Sequence, residues 1–371
     1  MRTIRTRLLA GVAAALLTVG GWAQQASVAT AAISGVVKDG TTGQPLSGVI
    51  LELRAPSTGA PLARITRQVT DERGRFVFRD LAAGRGYALT AVRPGYADGG
   101  FGQSVMFGSS GRIDLVDGEW LFSANISLWK PGSISGRVVD DANEPVVGAY
   151  VRALARVTVA GVPQLFAGPT TKTDDRGEYR IAGLAPGQYV IVVPSPSATV
   201  PSDAPTGVLG APALPPQIEI ISTMPTAPRT DAVLDPVGGY RAVVGNYITP
   251  PAPSATGARV YGMAFHPGVA TIEAAPSVSL ALGQERGGVD VALRPTPAVN
   301  VFGRVSGPPD ALKGLFLRLM PVGLEGLANG AEAATSLVKA DGSSALLMVS
   351  PGEYIIDAPS TTLEFTMPVW D

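Results

Sequence analysis

The chain has no cysteine and a single histidine, His266, and these two scarcities exclude more than any abundance does. Without cysteine there is no disulfide, thiolate zinc site, iron–sulfur cluster, cysteine nucleophile or lipid-anchored cysteine. A lone imidazole rules out every mechanism that draws two from this chain, including the common histidine-rich zinc sites and the H-E-x-x-H helix. Charge is scarce too: charged residues make up 16%, against an average of about 25%. The balance of 29 Lys+Arg and 30 Asp+Glu leaves a formal charge of −1, so neither nucleic acid nor an anionic membrane attracts the chain. No Gly-x-Ser-x-Gly elbow is present to hold a serine nucleophile. Apolar residues, at 46%, are ordinary, whereas 45 Gly and 32 Pro together exceed a fifth of the 371 residues. That length predicts two or three domains, each able to bury its own core.

Residues 1–23 read as a signal peptide. Arg2, Arg5 and Arg7 form a basic start and a short apolar run follows. Gly21-Trp22-Ala23 offers a small-x-small cleavage site, with Ala29-Thr30-Ala31 as a second. The run is shorter than the roughly 20 apolar residues that span a bilayer, and no later stretch reaches that length. The expectation is a secreted chain, periplasmic or extracellular, with no membrane span after cleavage.

A unit recurs along the chain. It opens with Ile33-Ser34-Gly35-Val36-Val37, again with Ile134-Ser135-Gly136-Arg137-Val138, and more weakly with Val301-Phe302-Gly303-Arg304-Val305. Each copy then has a glycine entering an alternating stretch, at Gly48, Gly148 and Gly314. A charged turn follows, Thr70-Asp71-Glu72-Arg73-Gly74 and Thr173-Asp174-Asp175-Arg176-Gly177, reduced in the third copy to Asp341-Gly342-Ser343. A further strand begins near Tyr87, Tyr189 and Tyr354. The spacings agree: Gly35 to Gly136, Gly74 to Gly177 and Tyr87 to Tyr189 are 101, 103 and 102 residues. Gly136 to Gly303 is 167, while Gly177 to Gly342 and Tyr189 to Tyr354 are both 165. A connector also repeats, ending in Asn125-Ile126-Ser127-Leu128 and Asp290-Val291-Ala292-Leu293, each followed by a basic-Pro step.

Period-two alternation over four to seven residues, bounded by Gly, Pro and Asp turns, predicts short antiparallel strands with one buried face. A weak helical pattern covers only residues 324–337. Several strands per copy predict β-sandwiches, read as separate units and not as turns of a solenoid. The sequence Ile/Val-x-Gly-x-Val, Gly-Ala-x-Val-x-Ala, Thr-Asp-x-x-Gly-x-Tyr, Leu-x-Pro-Gly-x-Tyr resembles the carboxypeptidase regulatory-like domain, a transthyretin-like and immunoglobulin-like β-sandwich related to the B repeats of bacterial collagen adhesins. The resemblance is fullest at 136–193, nearly as full at 35–92, and departs in the third copy, where Ser344 and Ala345 stand near the usual aromatic. It implies an all-β chain of tandem sandwiches on secreted or envelope proteins and does not single out one activity.

The expected division is a first unit with its connector hairpin at 24–130, a second at 131–296, and a degenerate, incomplete third at 297–371. The longer second spacing is assigned to 194–257, which holds 13 Pro and six charged residues. It reads as an extended excursion in a loop of the second unit, or as a contact arm for a partner. After Tyr354 only 17 residues remain, without the connector strand, so the sequence is expected to be a piece or an early stop.

Candidate chemistry is thin. His266, in Phe265-His266-Pro267-Gly268, reads as a strand-end turn and not as a base. The Asp71-Glu72 and Asp174-Asp175 pairs could suit calcium, but the spacing fits a hairpin turn closed by glycine better. Gly84-Arg85-Gly86 lacks the third glycine and the helix of a phosphate loop. Asn125-Ile126-Ser127 matches a glycosylation triplet and is read as chance. The ligand candidates are aromatic: Trp120, Tyr96 and Phe101, with Phe107 nearby and Trp129 expected at a joint between units. No catalytic, metal or cofactor residue is predicted. The reading is a secreted, non-enzymatic spacer or interaction module at the cell envelope with a protein or glycan partner. A carbohydrate-binding module is one alternative. An accessory region of a larger secreted peptidase or outer-membrane receptor is the other.

Overall fold

A computed structural model describes residues 30–56, 65–203, 232–233, 237–244, 248, 250–255, 257–312, 315–327 and 331–358. The predicted signal peptide lies outside these residues. The chain is all-β, as expected, and the only helix among the described residues is the single turn Pro309–Leu312. Where a weak helical pattern covers 324–337, the described residues 324–327 and 331–337 form turns and the strand Ala334–Leu337.

The first unit is a two-sheet sandwich. Its opening strand Ala31–Asp39 pairs antiparallel with Arg75–Leu81 and, on its other edge, in parallel with Trp120–Leu121 and Ile126–Leu128. The facing sheet runs Ile65–Val69, Ile50–Arg54, Gly84–Val92, Gly99–Gly100, with Ile113–Leu115 also on Gly84–Val92. Alternate residues point inward, so Ile33, Val37, Leu51, Leu53, Phe78, Leu89, Ile126 and Leu128 are buried between the sheets. Each such side chain contributes roughly 1.5–3 kcal/mol.

The second unit repeats this plan. Gly132–Val139 lies between Glu178–Leu184, antiparallel, and Glu285–Arg286 with Val291–Ala292, parallel. Val162–Lys172, Tyr150–Val159 and Gly187–Val193 form the facing sheet, completed by Ala264–Phe265 and Val278–Leu280. The charged turns superimpose in chemistry. Gly74 and Gly177 both have φ +72°, and the N–H of Val37 and of Val138 donates to their carbonyls at 2.8 Å.

The third copy departs from an independent unit. Val299–Arg304 pairs with Ser343–Val349 in the same register as before, Gly303 opposite Ser344 where Gly35 faces Phe76 and Gly136 faces Tyr179. Its other sheet runs Ala232–Val233, Tyr240–Val244, Ser197–Pro201, Ala334–Leu337, Phe316–Pro321, Tyr354–Asp357. The two ends of the Pro-rich stretch thus lie in strands alongside the third copy, not in a loop excursion of the second. Short runs such as Ser197-Ala198-Thr199-Val200 carry enough β-branched and apolar character to pair once a neighbouring edge is available. Leu154, Val190, Val192 and Phe265 of the second unit form one apolar cluster with Met320, Leu324 and Leu327, so a hydrophobic core also joins the two copies.

Candidate functional site

Trp120 is the one predicted ligand residue that stands out on the surface. It is 45% exposed and stacks on Phe122, itself 69% exposed, with ring centroids 5.0 Å apart and planes 16° from parallel. The Arg79 guanidinium lies 5.6 Å from the Trp120 ring. Leu121, between the two rings, packs onto the core, so period-two geometry puts both aromatics on the outer face. The product is an exposed aromatic stack with a cation beside it, whose outer ring face is suited to stacking on a sugar face or an extended peptide.

Tyr96 and Phe101 do not join this stack. Both pack against the first unit's core. The Tyr96 hydroxyl donates to Asp39 Oδ2 at 2.9 Å, and Arg93 and Lys130 sit 5.3 and 5.5 Å from its ring. Burial pushes the Tyr96 phenol up, reinforced by the Asp39 carboxylate. Trp129 is 9% exposed, and a Cβ on Gly40 would overlap its indole, so it fills the end of the first sandwich next to Lys130-Pro131. Phe107 is 58% exposed. Phe122 was missed as a candidate, although the alternation Trp120-Leu121-Phe122 carries the signal.

The remaining candidates have structural partners. Asp71 Oδ1 accepts the N–H groups of Arg73 and Arg75 at 2.9 and 2.8 Å, and Oδ2 accepts Arg75 Nε at 2.9 Å. Those bonds, the Arg75 N–H first, hold its carboxyl below the usual range. Asp174 Oδ1 accepts Arg176 and Glu178 in the same way. These carboxylates close turns. Among the described residues no three His, Asp or Glu gather as a metal would require. His266 lies at a strand end: its N–H donates to the Ile191 carbonyl at 3.0 Å, and Nδ1 is 2.6 Å from the Asp290 carbonyl. The Gly86 N–H donates to Asp114 Oδ1 at 2.8 Å, which occupies the donor a phosphate would need. Asn125 Oδ1 accepts the Val36 N–H at 2.9 Å, and Asp290 Oδ1 takes the equivalent Arg137 N–H at 2.8 Å. The glycosylation-like triplet is therefore a strand-locking position.

A cleft of about 600 Å³ opens between the second and third copies, walled by Met263, Val269, Pro321 and Leu324 with Glu273, Arg294 and Glu353 at its polar side. Within it Tyr354 donates to the Ser350 carbonyl at 2.8 Å. Its walls mix small and apolar residues with these three charged ones, where the second and third copies pack together.

Residues 32–115 and 133–203 match the carboxypeptidase regulatory-like domain. The two segments correspond to the first two units up to the start of the Pro-rich stretch. No curated protein matches the chain. Among solved structures, a streptococcal ancillary pilin is 18% identical, covering 44% of this chain and 53% of its own, with a TM-score of 0.26. GBS52, the minor pilin of Streptococcus agalactiae, is 15% identical over 75% of this chain and 99% of its own, with a TM-score of 0.28. The Bacillus anthracis TIE protein is 12% identical over 90% of this chain and 45% of its own, with a TM-score of 0.23. The chain thus spans about half the length of the first and third of these. No helix among the described residues is long and apolar enough to cross a membrane.

Proposed function

We propose that this chain is a secreted, non-enzymatic spacer of the cell envelope, built as units 24–130, 131–296 and 297–371, the last completed by strands from within 194–257, whose first two units bear load. The observation that carries this reading is the parallel pairing of the first and last strands of each. Val37, Lys38 and Asp39 pair with Ile126, Ser127 and Leu128, and Val138 and Val139 pair with Val291 and Ala292. Chain ends pulled apart drag these neighbours past one another in opposite directions, so all bonds between them are loaded together instead of peeling one at a time. Two segments matching the carboxypeptidase regulatory-like domain and turn carboxylates already engaged by backbone support a mechanical role over a chemical one.

The test is single-molecule pulling of the full chain by its ends. The first two units should each resist as a sharp, separate event, with a length gain of about 3.3–3.6 Å per residue released. Gly136→Ala should weaken the second event alone. Smooth extension at low force, with neither event resolved, would sink the spacer reading.

The exposed Trp120–Phe122 stack favours a second reading, a carbohydrate-binding module. Retention on insoluble polysaccharide by the full chain, lost in Trp120→Ala and in Phe122→Ala with unfolding unchanged, supports it. Absence of retention across neutral and acidic glycans refutes it.

A further inference from the structure

The first two sandwiches differ at positions that the fold makes equivalent. Phe101 to His266, Asp114 to Ser279, Glu119 to Gln284 and Leu121 to Arg286 are each 165 residues. Main-chain bonding fixes the correspondence. The N–H of Phe101 donates to the Leu89 carbonyl and that of His266 to the Ile191 carbonyl, both at 3.0 Å, while Leu121 pairs with Ile33 and Arg286 with Ile134. In the first unit Phe101 and Leu121 pack against the core. In the second, His266 and Arg286 line a pocket of about 440 Å³ together with Ser277, Ser279, Gln284 and Val289. Two apolar plugs of one sandwich are two basic side chains in the other.

The acids change in the opposite sense. Ser279 lies between Val278 and Leu280 against the Tyr189 strand, as Asp114 lies between Ile113 and Leu115 against the Tyr87 strand. The Glu119 carbonyl accepts the Ala32 N–H at 2.8 Å and the Gln284 carbonyl accepts the Ser133 N–H at 2.9 Å. Both side chains close the same turn: Glu119 Oε2 accepts the Val116 N–H at 2.8 Å, and Gln284 Oε1 accepts the Ala281 N–H at 2.7 Å. The turn is kept, but the atom left over is an amide donor instead of a second carboxylate oxygen. Arg112 corresponds to Ser277, whose Oγ takes a bond from Arg156 at 2.9 Å. These positions therefore carry −1 in the first unit, from Arg112 against Asp114 and Glu119, and +1 in the second from Arg286, before any charge on His266. The carboxylates that flank them in the chain are engaged elsewhere: Glu285 with Arg180 at 2.8 Å, and Asp290 Oδ1 with the Arg137 N–H at 2.8 Å.

We infer that this pocket of the second unit binds a small anion through a carboxylate or phosphate group. The Arg286 guanidinium has no side-chain partner among the described residues, and its planar fork matches two oxygens of such a group. His266 Nδ1 stands 2.6 Å from the Asp290 carbonyl, so Nδ1 carries a hydrogen and Nε2 is the nitrogen left for a ligand. The Ser279 hydroxyl and the Gln284 amide add donors that the acids of the first unit lack. The volume falls within the roughly 300–1,000 Å³ of small-molecule sites, which sets the scale of the ligand. The site is independent of both the load-bearing reading and the aromatic stack.

His266 is the sole histidine, so its imidazole resonance reports on the pocket directly. Titrating the full chain at fixed pH with inorganic phosphate, and separately with glucuronate, should move that resonance saturably, with a midpoint below about 5 mM for at least one of them. Glucose should leave it in place. A response to glucuronate alone assigns the carboxylate, and a response to phosphate alone assigns the phosphate. Arg286→Leu installs the residue that the first unit carries at this position, so thermal unfolding should be unchanged while binding weakens at least about tenfold. Ser279→Asp restores the first unit's acid at an exposed position and should weaken binding as much, which keeps the proposal testable if Arg286→Leu unfolds. The proposal is overturned if neither anion moves the resonance by about 50 mM, if glucose moves it equally, or if either variant, once shown to be folded, binds like the parent chain.

Discussion

Replacing the three equivalent glycines by alanine should give three different outcomes, although all three open the same repeated pattern. At Gly136 the added methyl overlaps the Val289 carbonyl, so the connector must retreat by more than about 1 Å to restore ordinary contact, enough to break hydrogen bonds near 3 Å. The bonds at stake are Arg137 N–H to Asp290 Oδ1 at 2.8 Å, Val289 N–H to Ser135 O at 3.1 Å, and the Tyr179 hydroxyl to Val289 O. Two neutral bonds at about 1 kcal/mol and one to a carboxylate at about 2 kcal/mol give a loss of about 4 kcal/mol. For a unit of this size that lowers its melting temperature by about 10 °C. At Gly35 the overlap is milder and the acceptor, Asn125, is neutral, so about 2 kcal/mol is expected. At Gly303 the methyl meets Ser344 Oγ at ordinary distance, and removing a flexible glycine from a strand is neutral or stabilising by about 0.5 kcal/mol. Calorimetry of the full chain, with hydrogen exchange at the Val36 and Arg137 amides, separates the three. A Gly303→Ala loss equal to that of Gly136→Ala would show that the glycines serve turn or strand conformation and not the approach of a neighbouring strand.

Acid should loosen the first unit at Asp39. Burial pushes the Asp39 carboxyl up, but the N–H groups of Thr42 and Thr41 and the Tyr96 hydroxyl outweigh it and hold the group below its usual value. A depressed folded-state value stabilises above the unfolded pKa of about 4 and is lost as pH falls through it; acid titration of unfolding should therefore show a limb below pH 4 that Asp39→Asn flattens. Tyr179→Phe should cost about 1–2 kcal/mol by leaving the Val289 carbonyl unpaired, read by chemical denaturation, with the Phe76 of the first unit as the natural precedent for retained packing. Val190→Asp puts a carboxylate into the cluster with Met320 and Leu324, and should cost at least about 3 kcal/mol while exposing Phe316–Pro321 to hydrogen exchange ahead of Ala31–Asp39.

The sandwich of the first unit was legible because its strands alternate cleanly: Tyr87-Ala88-Leu89-Thr90-Ala91 is buried at every second residue. The joint between the second and third copies was legible in principle and was passed over. Tyr189-Val190-Ile191-Val192-Val193 is apolar throughout, the pattern of a strand buried on both faces, and it is buried at all five positions. What local patterning could not supply was the partner: Ser197–Pro201 pairs with Ala334–Leu337 across a long stretch of chain, and the prolines around it read as a loop. Among candidate ligand residues, exposure separates Trp120 from Tyr96 and Phe101, and exposure depends on which loop folds over which ring. The turn acids and His266 were legible as structure, since Asp-x-x-Gly and His-Pro-Gly carry their backbone roles locally.

Because Ser197–Pro201 waits for Ala334–Leu337, with Ser197 and Thr199 hydroxyls bonded to Leu347 nearly 150 residues downstream, the order of emergence during synthesis matters. The first sandwich can close once residue 128 has appeared. Tyr240–Val244 can cover one edge of that ribbon early, but the other edge must stay open until its distant mate arrives, an interval in which a holding chaperone or slow release is most valuable. A premature stop upstream of residue 330 therefore does more than delete a terminus: it strands a sticky edge on the product that remains.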